Sequence, residues 1–140
     1  MSISIIHLTD IHMVAEVEGN IILSRKEQLC NACYNVLSPN DIVIIVISGD
    51  IAFSGKKEEY ENAFEMICYI QDKLKSYLNC DVIVLMVPGN HDCNFEGSLS
   101  IRRRLLTTFD TSINVDQEIL EQMTIVQKNF FEFSELFSKF

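Results

Sequence analysis

Three runs rich in Ile, Val and Leu, namely Ser2 to Leu8, Ile42 to Ser48 and Asp81 to Val87, punctuate the first two-thirds of the chain. They lack polar alternation, which is how a strand covered on both faces reads. Between them the period lengthens. Ser24-Arg25-Lys26-Glu27 has the form of a capping box, followed by Leu29, Cys33, Val36 and Leu37 on one helical face and a stop at Ser38-Pro39-Asn40. Tyr60, Phe64, Ile67, Leu74 and Leu78 follow a helical period and predict a second helix over about 57–78. The order is β-α-β-α-β. Right-handed crossovers then make the three strands parallel and gather the turns that follow them at one edge of the sheet.

Past the third run the pattern is helical only, with a short helix over about 99–109 and a longer one over about 116–139. The longer helix carries Ile119, Met123, Val126, Phe130, Phe133 and Phe137 on one stripe, with Leu120, Ile125, Phe131, Leu136 and Phe140 beside it. Together they cover roughly two-thirds of the helix circumference, more than one core requires. Such a helix is either buried between layers of its own domain or offered to protein outside these residues. With three strands to bury it, the second reading is preferred. The fold class is α/β: a βαβαβ core over 1–95 and a helical segment over 96–140, together one domain or part of one.

Each apolar run ends in residue types that bind metals. Asp10 and His12 follow the first, Gly49-Asp50 the second, and Gly89-Asn90-His91-Asp92 the third. Parallel strands leaving the sheet at a common edge deliver all three clusters to one crevice, which predicts a shared metal centre. Gly49 and Gly89 allow the backbone to turn tightly there.

Composition narrows the alternatives. Hydrophobic residues make up 48% of 140, which excludes disorder, and a net charge of -9 argues against a nucleic-acid binder acting through a basic surface. It does not exclude a phosphate-bearing substrate, because bound cations dominate a local field. Arg102, Arg103 and Arg104 could add to that field, although consecutive helix positions diverge too far for all three to point inward. No secretory leader or membrane-spanning run is apparent, so a soluble cytoplasmic protein with no membrane partner is expected. The five cysteines are odd in number and scattered. Cys30 and Cys33 form a CxxC inside a predicted helix without a second pair to complete a zinc site, so core cysteines are expected rather than a zinc or thiol-redox centre. Cys93 is read as a small packed side chain beside the crevice.

His7-Leu8-Thr9-Asp10-Ile11-His12, Ser48-Gly49-Asp50 and Pro88-Gly89-Asn90-His91-Asp92 resemble, in order, spacing and strand context, the DxH, GD and GNH(D/E) motifs of the calcineurin-like metallophosphoesterases. GNHD alone would arise by chance in a chain of this size about once in a thousand or less. The resemblance is close from Ile3 to about Asp92 and loose beyond, and Ser54-Gly55-Lys56 is also similar to the family. It implies the N-terminal half of a metallophosphoesterase α/β sandwich. It further implies two divalent ions, from among manganese, iron, zinc and nickel with manganese favoured. By the same resemblance Asp10 and His12 hold the first ion, Asp50 bridges both, and Asn90 holds the second through its amide oxygen. The resemblance also implies that hydroxide between the ions would attack phosphorus in line, that His91 would protonate or hydrogen-bond the leaving oxygen, and that Asp92 would orient His91.

The implied substrate is a phosphodiester or phosphomonoester, with nucleotides and nucleic acids among the candidates. One departure matters. Family members continue with a further histidine and a GHxH motif, whereas His7, His12 and His91 are the only histidines here. His7 lies within the first strand and is expected to be a hydrogen-bonded core or supporting residue. The second metal site is thus incomplete, left with Asp50 and Asn90. The chain is therefore expected to be the N-terminal part of a larger phosphoesterase; the alternative is a non-catalytic truncated module that binds another protein through its Phe-rich helix.

Overall fold

The three apolar runs pair as strands β1 (Ile3–Leu8), β2 (Ile42–Ser48) and β3 (Val82–Val87). The computed structural model describes residues 3–39, 42–96, 99–108 and 116–138. Ser2, Asn40, Phe109, Lys139 and Phe140, which the sequence pattern put at or near element ends, lie outside them. The strands are parallel in the order β1-β2-β3, with Ile5 opposite Ile44 and Ile44 opposite Ile83.

Helix α1 (Ile21–Ser24) runs almost directly into α2 (Lys26–Tyr34), with Arg25 between them. The capping-box expectation is corrected here. Ser24 Oγ donates to Ile21 O within α1, and no side chain caps α2, because the helical path has already begun at Ile21. Val36, expected on the apolar face, is exposed because α2 ends at Tyr34.

Helix α3 (Lys57–Leu78) has the predicted bounds. Glu58 and Glu59 in its first turn and Lys75 in its last complement the helix dipole, and Asn79 ends it in the left-handed region at φ 51°. Its inner face consists of Tyr60, Ala63, Met66, Ile67, Ile70, Leu74 and Leu78, all buried, while Phe64 is partly exposed at the margin. Gln71, also buried, satisfies Nε2 by donating to Val82 O at 2.7 Å, tying α3 to the sheet.

Helix α4 (Leu99–Thr108) follows the third cluster. The single long helix expected near the C-terminus is instead broken. Helix α5 (Gln117–Thr124) starts at Asp116, whose carboxylate accepts from Ile119 N. A 3-10 turn over Ile125–Gln127 then redirects the chain into α6 (Lys128–Ser134). The break swings the aromatic stripe onto α3. Phe133 packs on Tyr60 with ring centroids 5.0 Å apart, and Phe137 packs on Phe64 at 5.5 Å. Val126, Phe130, Phe133 and Phe137 are buried, each contributing about 1.5–3 kcal/mol of transfer free energy. The stripe from Val126 onward is thus covered within the domain, whereas Ile119 and Met123 are half-buried and Leu120, Ile125, Phe131 and Leu136 beside it are exposed.

The expectation that helices cover both sheet faces is also corrected. Val43, Ile45, Ile47, Val82 and Val84 point into one core with α2, α3 and α6. On the opposite face Ile3 and Ile5 are each 65% exposed, and Ile83, Leu85 and Val87 are exposed as well. Two crossovers of one hand in a sheet ordered β1-β2-β3 put both connecting helices on the same side. Among the described residues no helix is long and apolar enough to cross a membrane.

Candidate metal centre

The turns after β1 and β2 are laced together beyond the sheet. Asp10 N donates to Gly49 O at 3.3 Å, His12 N to Asp50 O at 2.9 Å, Met13 N to Ile51 O at 2.8 Å and Phe53 N to Met13 O at 2.9 Å. This ladder is sharply bent. Asp10, His12 and Asp50 have φ of 53°, 48° and 54°, a left-handed conformation uncommon outside glycine, and Asn79 is the only other described non-glycine residue that adopts it. Strain held at three expected ligand positions is characteristic of a site whose geometry the surrounding fold imposes.

The turn after β3 closes on the same place. A Cβ on Gly49 would lie 2.9 Å from Gly89 Cα, and one on Gly89 would lie 2.1 Å from Asp50 Oδ1, so the two turns meet where neither has a side chain. His91 N donates to Asp50 Oδ1 at 2.9 Å. One ligand atom each from His12, Asp50 and His91 then fall within 4.8 Å of one another. The His12 and His91 rings meet edge to face, with centroids 4.5 Å apart.

Asp10 flanks this group. Its Oδ1 is 3.9 Å from His12 Nε2, and its Oδ2 accepts from Thr9 Oγ1 at 2.6 Å. Asn90 is exposed in the same turn as His91 and shares with it the wall of an open depression. Cys93, half-buried, lines that depression too. The residues present fit a divalent cation. His12 Nδ1 is buried without a hydrogen-bond partner among the described residues, and imidazole with carboxylate is a donor set suited to first-row metals.

Asp92 has a different place from the one expected. It is fully buried and accepts from Gly89 N at 2.8 Å, Ala52 N at 2.9 Å, Tyr60 Oη at 3.0 Å and Ile51 N at 3.3 Å. It therefore pins the third turn to the second. The group that orients His91 is the Phe53 carbonyl, 2.7 Å from Nδ1. Because a carbonyl can only accept, Nδ1 carries a proton and Nε2 is left for other chemistry. Burial, then the charge of Asp92 and the hydrogen bond to it, push the Tyr60 phenol far above its ordinary pKa.

A further tier of support was only partly visible in the sequence. Glu59 is buried and accepts from Ser54 N, Ser54 Oγ and Lys56 N, closing the turn that opens α3. Gly55, at φ 70°, leaves no room for a Cβ, which would lie 2.6 Å from Asn94 N. The C-terminal segment braces both turns: Asn129 Nδ2 donates to Gly55 O at 2.8 Å, and Asn94 N donates to Val126 O at 2.7 Å. Ser54-Gly55-Lys56 was the signal for the first of these features, whereas nothing local marked Asn129.

His7 is not a core residue. It is exposed on the bare sheet face and shares a 2.7 Å hydrogen bond with Ser48 Oγ. Arg102 alone of the three arginines is half-buried, and its guanidinium lies 5.5 Å from the Phe95 ring centroid. Cys30 and Cys33 are buried, free thiols in the core.

Comparison with known families bears on all of this. The model for calcineurin-like phosphoesterase matches residues 3–138, thereby including the C-terminal helices where the motif resemblance was loose. No curated protein matches the chain.

Proposed function

Because the chain belongs to the calcineurin-like phosphoesterase family, whose members are metal-dependent hydrolases of phosphate esters, we propose that it carries the first part of a two-ion active site for a phosphodiester or phosphomonoester. The observation that carries this reading is the convergence of His12, Asp50 and His91 from three separate turns. Asp10 and His12 would hold the first ion, Asp50 would serve both and Asn90 would serve the second, with manganese the favoured metal. Divalent cations, when bound, polarise phosphoryl oxygens and acidify water. His91 would act as the imidazolium, with Nδ1–H committed to Phe53 O and the second proton on Nε2 given to the leaving oxygen, which leaves the neutral tautomer that this carbonyl favours. Asp92, held by four donors, positions the turn that bears His91.

The donors among the described residues do not fill two coordination spheres, and further protein would supply the remainder. The bare apolar face of the sheet supports that assignment, since parallel sheets are ordinarily covered on both sides. The same face, together with exposed Phe131 and Leu136, also favours the second reading, a non-catalytic module that binds another protein.

Manganese-dependent hydrolysis of bis(4-nitrophenyl) phosphate tests the proposal. It is measured for these 140 residues and for the polypeptide continued through whatever sequence its gene encodes next. Little turnover by the short chain, turnover by the longer one, and a loss of about 100-fold or more in His91→Asn with manganese affinity retained are expected. A longer protein that binds metal yet hydrolyses neither diesters nor monoesters would overturn the enzymatic reading in favour of the binding module.

A further inference from the structure

We propose that the open depression beside His91 is the seat of a nucleobase, which makes the substrate class a nucleoside phosphate. This rests on the phosphoesterase reading of the adjoining cluster and deepens it. The depression has a volume of about 400 Å³, within the range of small-molecule sites, and Asn90 and His91 form the wall nearest the chemistry. Phe53 and Phe95 supply its aromatic surface and are 53% and 45% exposed. Large rings left open next to a reaction centre are a stacking platform in waiting, and every base offers a π-face to such a platform.

Both rings are held in place. The Phe53 centroid is 5.8 Å from that of His91 and 6.2 Å from that of His12, so the ring moves with the metal cluster. Phe95 has the Arg102 guanidinium 5.5 Å from its centroid. Glu96 also lines the depression, but its carboxylate is paired with Lys56 Nζ at 2.8 Å, which limits its repulsion of an anionic ligand.

Calorimetric titration of the manganese-loaded chain with adenosine 5′-monophosphate, ribose 5-phosphate and inorganic phosphate tests the assignment. The adenosine compound is expected to bind about tenfold more tightly than ribose 5-phosphate, the difference being the stacked base. Phe95→Leu should collapse that ratio and Phe95→Tyr should keep it. Equal affinity for the two sugar phosphates would overturn the nucleobase seat while leaving the phosphoesterase reading intact. Failure of all three probes to bind would likewise overturn the nucleobase seat, the phosphoesterase reading standing or falling on the hydrolysis assay.

Discussion

Replacing Asp92 with alanine is the sharpest test of how the site is built. The substitution strips Gly89 N, Ala52 N and Tyr60 Oη of acceptors at 2.8, 2.9 and 3.0 Å, and Ile51 N of a longer one at 3.3 Å. Hydrogen bonds to a charged group are worth about 1.5–3 kcal/mol each, but they are not additive, and water entering the vacated space would satisfy part of the deficit. A net loss of about 3–5 kcal/mol follows, a large share of the roughly 5–15 kcal/mol that holds a domain together. Asp92→Asn keeps one acceptor oxygen but turns an amide NH₂ toward donors, so about 2 kcal/mol is expected. Urea denaturation followed by circular dichroism measures both as shifts in midpoint at constant slope. His91→Ala is the control, expected within about 1 kcal/mol of the parent because the ring is only half-buried. If Asp92→Ala also stays within about 1 kcal/mol, the bracing role is wrong and a role confined to orienting His91 regains its standing.

Other expectations follow from the same geometry. Gly89→Ala drives a Cβ to 2.1 Å from Asp50 Oδ1, so manganese affinity should fall by tenfold or more, about 1.4 kcal/mol, in a calorimetric titration; unchanged affinity would refute the placement of Asp50. The raised pKa of Tyr60 means that the folded state keeps a proton the unfolded state loses. Its contribution is fully present below about pH 10 and declines as pH rises above it, so Tyr60→Phe should flatten the fall in stability measured through that range. An equally steep fall in the variant would contradict the burial argument. Burial raises the pKa of Cys33, and burial followed by the Cys33 charge raises that of Cys30, so iodoacetamide should reach neither until the protein unfolds. Rapid alkylation of both in the native protein would reopen the CxxC as a reactive site.

Much of the fold was legible because its signals are local. Unbroken Ile and Val runs fixed the strands to within a residue, and the long amphipathic period fixed α3 at Lys57–Leu78. Strand order is a non-local property, however. The runs could not disclose that an order of β1-β2-β3 would send both helices to one face and leave Ile3, Ile5, Ile83, Leu85 and Val87 bare. Apolar residues on that face looked like evidence of cover, when they mark a need for it. The break between α5 and α6 was hidden for a similar reason, since no glycine or proline occurs at Ile125–Gln127 and the turn is set by how Phe130 and Phe133 dock on α3.

At the site, the motifs place His12, Asp50 and His91 together at one edge of the sheet because each lies in the turn that follows a strand end. Roles were harder to read than positions. Asp92 stands next to His91 in sequence, yet its carboxylate turns inward to backbone donors on another turn, and the acceptor for His91 Nδ1 is a main-chain carbonyl that no side-chain pattern can reveal. The contributions of Asn129 and Val126 arrive from far along the chain and depend wholly on tertiary docking.

Manganese binding, followed by loss of the free-ion electron paramagnetic resonance signal, bears most directly on the central claim that three turns converge on one cation site. The intact chain should bind manganese, and His12→Ala and Asp50→Ala should each weaken that binding at least tenfold, about 1.4 kcal/mol, while the fold is retained by circular dichroism. Manganese affinity indifferent to both substitutions would contradict it.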